Sequence, residues 1–400
     1  MVKLSQRIGR INPSLTLAIT AKAKEMQRQG LKIVGLAAGE PDFDTPQYIK
    51  EAAIKALGEG FTKYTPASGI IELKEAIVRK LKEDNALEYR TDEIIVSCGA
   101  KHALYNIMQT LCDEGDEVVI PAPYWVTYPE QVKLAGGIPV VIPTLEERNF
   151  KLSANLLRRV ITERARIIIL NSPSNPTGAI YSKDELEELK EVCLEYNLWV
   201  ISDEIYEKII YDGKKHSSIA SLGKEIKRKT LLVNGLSKTY AMTGWRIGYT
   251  AGPREIIRAM GNLQSQSTSN PTSFVQKAAL AALTDSRRES VIAEMLKKFQ
   301  ERRDFLTMEL SKWEKVRFLN PDGAFYLFLD ISEYFGCSFK GKTIKTSVQF
   351  SDFLLEEGKV AVIPGSAFGK DEYIRISFAN SIENIAEGLK RIKKFLESLS

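Results

Sequence analysis

Histidine and cysteine are scarce in this chain, with two and four residues among 400. Cys98, Cys112, Cys193 and Cys337 share no CxxC spacing, and with so few histidines they form no metal-ligand pattern. Isolated cysteines in a chain this long read as free thiols in a reducing compartment rather than as a disulfide framework. Long apolar runs are missing, and none approaches the roughly 20 residues of a membrane-spanning helix. Charge of one sign is missing too. The 56 Lys and Arg against 51 Asp and Glu leave a net +5, and basic runs are short, such as residues 224–229, which include Glu225. That balance gives no nucleic-acid surface and no membrane-binding face. Internal repeats and low-complexity stretches are absent.

What is present is an ordinary globular composition, 44% hydrophobic and 27% charged, in a length that predicts two domains. Short runs rich in valine and isoleucine predict strands over 93–98, 117–120, 139–142, 166–171, 198–203, 230–234 and 246–251. Amphipathic stretches such as 183–196 lie between them. Near-continuous apolar strands separated by helices predict an α/β fold, a mostly parallel seven-stranded sheet with helices on both faces. Ligands of such a sheet belong at the carboxyl ends of its strands. After Pro271 the pattern turns to long helices, including one over 290–312, followed by strands in GAFYLFLD and VAVIP. A smaller α+β domain is expected there, completed by N-terminal residues. The division reads as 1–47 (arm and part of the small domain), 48–287 (large domain) and 288–400 (small domain). The lysine-rich stretch 333–349 is expected to be an exposed loop.

The most informative segment is residues 235–248, GLSKTYAMTGWRIG. It sets Lys238 among small residues, which admit a planar ring beside the amine. It also places Arg246 close by, whose planar fork suits a dianionic phosphate. Four more segments carry polar groups where predicted strands end. Gly99-Ala100-Lys101 opens a helix, whose first N–H groups suit an anion. Tyr124-Trp125 follows a strand and two prolines. NSPSNPTG (171–178) brackets Asn175 with prolines. Asp203 ends a buried strand, where a carboxylate is costly unless paired, and Tyr206 follows three residues later. In YIRISFA (373–379), Arg375 alternates with apolar neighbours. LAAGEPDFDTP around Gly39 and KYTPASG around Tyr64 complete the set.

Together these segments resemble the class I aminotransferases of fold-type I, which use pyridoxal 5′-phosphate, and the resemblance runs from Ser5 to the C-terminal helix. It implies that Lys238 carries the cofactor covalently and moves a proton at the substrate Cα. Asp203 pairs with the ring nitrogen, Trp125 stacks on the ring, and Asn175 and Tyr206 bond its phenolic oxygen. Gly99, Ala100, Lys101, Arg246 and a hydroxyl at Ser237 surround the phosphate, with Tyr64 reaching it from a neighbouring subunit. Arg375 clamps the substrate α-carboxylate, beside Gly39, Trp125 and Asn175. A homodimer with composite sites follows, acting on amino acids and 2-oxo acids. The segment QRIGRINPSLTLAI resembles the start of the mature family fold with nothing ahead to be cleaved, so a cytoplasmic location is expected despite a faintly transit-like N-terminus with Lys3, Arg7 and Arg10.

For substrate choice, residues 262–275 hold no arginine, so the chain resembles the bacterial aspartate-using branch that lacks the distal-carboxylate arginine. There Lys101, Ser14 and Thr16 are implied to take that carboxylate. Asn12 stands where prephenate-using members carry a basic residue. Aspartate with 2-oxoglutarate is the expected pair. Broader specificity for aromatic amino acids, alanine or prephenate, a β-lyase on the same cofactor, a regulator's binding module and a decarboxylase remain as alternatives. The module requires a further DNA-binding domain, and a decarboxylase requires an unclamped carboxylate.

Overall fold

The computed structural model describes residues 2–400. Seven strands form the large sheet: β1 (Ile94–Ser97), β2 (Glu117–Ala122), β3 (Ile138–Pro143), β4 (Ala165–Asn171), β5 (Trp199–Asp203), β6 (Thr230–Gly235) and β7 (Gly248–Ala251), in the order β1-β7-β6-β5-β4-β2-β3. All neighbours are parallel except β7, which runs antiparallel to both β1 and β6. Residues of β1, β6 and β7 are buried along their whole lengths, as expected for a sheet covered on both faces. The covering helices are ordinary amphipathic ones. Lys183–Glu195 starts with Ser182, whose Oγ accepts from the Glu185 amide while the Glu185 carboxylate accepts from the Ser182 amide. This capping box satisfies two free N–H groups, and Leu186, Leu189, Val192 and Cys193 then form the buried stripe.

The strand expected over 246–251 begins two residues late, and the reason matters for the site. Arg246 has φ +53° and closes a short 3₁₀ turn, Thr243–Trp245. Because β7 is antiparallel, its first residue pairs with Ser97 and Gly235. Arg246 therefore lies at the sheet edge where the parallel strands end.

A second sheet, antiparallel throughout, contains β8 (Arg317–Phe318), β9 (Tyr326–Asp330), β10 (Ile363–Pro364) and β11 (Tyr373–Ser377) in the order β10-β11-β9-β8. Helices Arg288–Leu310 and Ile382–Glu397 pack with it around Phe299, Phe325, Phe350 and Phe378. Val34–Gly35 pairs in parallel with Val360–Ala361, so N-terminal residues do complete this part of the molecule. The VAVIP run is split between that pair and β10. The stretch 333–349 is not a plain loop. It contains a hairpin, Ser338–Phe339 with Lys342–Thr343, fastened by the fully buried Ile344 and by Phe339 against Phe353 and Phe395.

Behind the end of β5 lies a buried ionic cluster. Lys80, from the helix Ile71–Asn85, pairs with Glu207, and Asn85 Nδ2 donates to the same carboxylate at 2.8 Å. Glu204 accepts from Ser202 Oγ at 2.8 Å and Ser218 Oγ at 2.6 Å, and pairs with His216 Nε2 at 2.8 Å. Glu204, Glu207 and His216 thus bring ligand-type atoms within 4.8 Å of one another, but Lys80 supplies the cation for Glu207. Burial pushes the Glu207 carboxyl up; Lys80 and His216 outweigh it and hold the group at about 2. Since the folded value lies below the ordinary 4.5, this stabilisation is complete above about pH 4.5 and is lost as pH falls toward 2. Lys80→Met strands the Glu207 charge, and the expected loss is about 3–5 kcal/mol of unfolding free energy at pH 7. A urea midpoint equal to the parent's would show that the pair does not hold this segment.

Candidate active site

A cavity of about 340 Å³ opens at the carboxyl ends of the parallel strands, facing the antiparallel sheet. Several of the strands deliver pieces of its wall. After β1, Gly99 (φ +89°) caps the helix Ala100–Leu111, whose first-turn N–H groups have no partner within the helix. The positive φ favours glycine at this cap, and the Arg246 guanidinium uses the space, since a Cβ there would stand 2.6 Å from its Nη2. The Arg246 guanidinium thus lies against the helix start, steadied by Nη1 donating to the Thr243 carbonyl at 2.7 Å. Gly248 allows β7 to pass beneath, since its Cβ would lie 2.5 Å from the Ala100 amide. Cationic guanidinium, free N–H groups and the nearby Ser237 make this corner an anion cup.

At the end of β5, Asp203 is buried, with Oδ2 accepting from Tyr128 Oη at 2.7 Å and Oδ1 from the Ile205 amide at 3.3 Å. Burial raises its carboxyl to about 6, with the two hydrogen bonds working against the rise. One turn of chain later the Tyr206 hydroxyl meets that of Tyr326 at 2.8 Å, and burial keeps its phenol well above the usual range. Asn171, the last residue of β4, donates to the Asp203 carbonyl and accepts from the Asn175 amide, both at 2.9 Å. That bond fixes the loop that presents the Asn175 side chain.

After β6, Lys238 Nζ donates to the Gly39 carbonyl at 2.6 Å. Burial lowers its ammonium to about 8; Arg375 and Arg246 add to the fall, while Glu40 and Asp203 oppose it. Arg375 is buried in β11, a central strand rather than a solvated edge. Its Nη1 donates to Asn175 Oδ1 at 2.9 Å and its Nη2 to the Ala37 carbonyl at 2.8 Å, while Nε has no partner. A buried guanidinium with an unpaired N–H is costly and offers a ready place for a carboxylate.

The outer wall comes from Trp125, Lys101 and the N-terminal arm. Lys101 Nζ lies 4.9 Å from the Trp125 ring centroid, and burial and Arg246 lower its ammonium below the usual value. Thr16, Leu17 and Thr20 line the cavity from the arm helix Leu15–Arg28. Ser14 does not reach the cavity wall. Its Oγ caps that helix at the Leu17 amide and bonds Thr16 Oγ1 at 2.8 Å. Tyr64 is also outside the cavity, at 89% exposure.

The other expected site residues meet here, and several companions were not anticipated from sequence. Tyr128, Tyr326 and Asn171 act through contacts that only the fold creates. Gln264 is another. Its buried amide accepts from Ser97 Oγ at 2.7 Å and Asn106 Nδ2 at 2.9 Å, and donates to the carbonyls of Val96 and Ala67, tying the anion cup to the loop that bears Tyr64. A lone polar residue in a helix gives no sequence signal of such a role.

Comparison with known proteins agrees with this geometry. Residues 32–392 match the family model for aminotransferase class I and II. The chain is 50% identical to an aspartate aminotransferase of Bacillus subtilis over the full length of both. It is 48% identical to a probable aspartate/prephenate aminotransferase of Aquifex aeolicus, covering 99% of each. The solved aspartate aminotransferase of Rhizobium meliloti superposes with a TM-score of 0.96 at 44% identity, with all of both chains covered. With the family model spanning nine-tenths of its length and relatives aligned end to end, the chain belongs to the class I and II aminotransferases.

Proposed function

We propose that the chain transfers the amino group of L-aspartate to 2-oxoglutarate, with pyridoxal 5′-phosphate as cofactor. The observation that carries this reading is the convergence of Lys238, Asp203, Arg246 and Arg375 on one cavity. The residues present fit the cofactor. The glycine-lined cup beside Arg246 takes a phosphate, assisted by Ala100, Lys101 and Ser237. Asp203, raised to about 6 with no cation in contact, fits a protonated ring nitrogen, which would return it to the ionised form. Trp125 would flank the ring, and Tyr206 and Asn175 would supply hydrogen bonds to its phenolic oxygen. When bound, the cofactor supplies an electron sink for the charge left on the substrate Cα.

The protein's own groups do the rest. With an ammonium near 8, Lys238 has roughly a tenth of its amine neutral at pH 7, enough to act as a nucleophile and then as a general base at the Cα proton. Arg375 receives the α-carboxylate through its unpaired Nε and through Nη groups now held by Asn175 and Ala37, beside Gly39. Lys101 and Thr16 face the remaining volume and suit a second, distal carboxylate. Ser14 supports them only by holding Thr16. Asn12 carries no charge where prephenate-using members of the family carry a basic residue, and its side-chain Nδ2 donates to Glu130 Oε1 at 3.3 Å; the missing charge favours aspartate over prephenate.

The domain division at 48 and 288 is supported by the two separate sheets and by the pairing of Val34–Gly35 with Val360–Ala361. A cytoplasmic location rests on the family resemblance; no helix among the described residues is long and apolar enough to cross a membrane. That location would be contradicted by fractionation of the protein with membranes or an organelle. Tyr64 is exposed in the single chain, and the family resemblance favours a homodimer in which it serves the partner's phosphate. Light scattering of the active enzyme should give twice the 44.9 kDa chain mass; full activity at monomer mass would exclude shared sites.

Two further tests address the chemistry. Asp203→Asn should bind cofactor yet lose most of kcat, because a neutral amide cannot hold the ring nitrogen protonated; parent-like turnover would remove Asp203 from the mechanism. A panel of donors with 2-oxoglutarate should rank aspartate first. In the same panel Lys101→Ser should cost about 1.5–3 kcal/mol in kcat/KM for aspartate, the worth of a hydrogen bond to a charged group. Alanine should be nearly unaffected. Equal losses for both donors would assign Lys101 to the phosphate instead.

A further inference from the structure

Tyr326 opens β9, is fully buried, and borders the cavity. Its hydroxyl lies 2.8 Å from that of Tyr206, and the two rings meet edge to face with centroids 5.8 Å apart. Its ring face carries the Arg375 guanidinium, with Cζ 4.3 Å from the centroid, closer than the Phe368 ring at 5.1 Å. Gly39 flanks the same hydroxyl, where a Cβ would stand 3.2 Å from Oη. One phenol therefore touches both a group directed at the cofactor and the group directed at the substrate carboxylate.

We propose that Tyr326 is a positioning residue that sets the Tyr206 hydroxyl with its own hydroxyl and the Arg375 guanidinium plane with its ring. The inference rests on the roles proposed above for Tyr206 and Arg375. Tyr206 has a single proton to donate. If it donates to Tyr326, it presents a lone pair to the cavity, which repels an anionic oxygen. If Tyr326 donates instead, the Tyr206 proton is free to point inward, and a hydroxyl that accepts a hydrogen bond becomes a stronger donor. An anionic phenolic oxygen in the cavity selects the second arrangement. On the other side, a guanidinium lying on an aromatic face keeps its N–H edges free in its own plane while the stack limits its tilt. Arg375 Cζ lies 4.3 Å from the Tyr326 centroid, with its two Nη groups bonded and its buried Nε unpartnered.

The two halves separate experimentally in the holoenzyme. Tyr326→Phe keeps the ring and removes the hydroxyl. Tyr326→Met keeps much of the volume and removes the ring. Tyr206→Phe is the reference. The readouts are the pH titration of the bound cofactor's visible absorbance and the Kd of succinate, an unreactive dicarboxylate. Tyr326→Phe should move the titration midpoint in the same direction as Tyr206→Phe, by roughly half a pH unit, with succinate binding within about twofold of the parent. Tyr326→Met should show that shift and bind succinate roughly tenfold more weakly, as loss of a desolvated cation–π contact requires. A parent-like titration in Tyr326→Phe while Tyr206→Phe shifts would overturn the hydroxyl half. Parent-like succinate binding in Tyr326→Met would overturn the ring half. If Tyr206→Phe leaves the titration unmoved, the role of Tyr206 itself fails and the hydroxyl half falls with it.

Discussion

Three carboxylates, Asp203, Glu204 and Glu207, are buried within five residues of chain, and the site depends on how they are neutralised. An unpaired buried charge destabilises by several kcal/mol, so each needs its own partners. Glu204 has two serine hydroxyls and His216, and Glu207 has Lys80 and Asn85. These two face away from the cavity. Asp203 has only a phenol and a main-chain amide, with no cation in contact. The rear pairs hold the segment, so the one carboxylate still in want of a cation is turned toward the cavity and Tyr206 comes under Tyr326.

Much of this was legible because strand ends can be read from apolar runs, and in a mostly parallel sheet strand ends are where a site forms. Asn175, Asp203 and Lys238 lie at or just after predicted strand ends, and the family resemblance supplied roles that spacing alone could not. The short apolar run 246–251 predicts a strand that includes Arg246. The need to reach the helix start bends it into a left-handed turn instead. The Arg246 guanidinium lies against Gly99, a residue 147 places earlier in the chain, and no local pattern encodes that approach.

The less legible residues share one property, that their partners are remote in sequence. Tyr128 meets Asp203, Tyr326 meets Tyr206, and Gln264 joins two loops from a third element. Each is an ordinary tyrosine or glutamine in an amphipathic context, where burial with a satisfied polar tip is the usual fate. The stretch 333–349 fails for a related reason. Its lysines and glycines outnumber the four residues, Tyr334, Phe335, Phe339 and Ile344, that fasten it.

The cavity is built from parts of unequal rigidity. Asp203, Lys238, Arg246 and Arg375 sit on or beside sheet strands, whereas Thr16, Leu17 and Thr20 sit on an arm helix with only Ala23 buried, and Leu17 is 68% exposed. The groups that handle protons and the arm residues that, with Lys101, border the substrate's far end are therefore encoded in different stretches of chain with different packing demands. Substitutions along the arm can alter which side chain is admitted without disturbing the strand termini. Lineages, and directed-evolution libraries, can explore new substrates there while the reactive centre stays under separate selection.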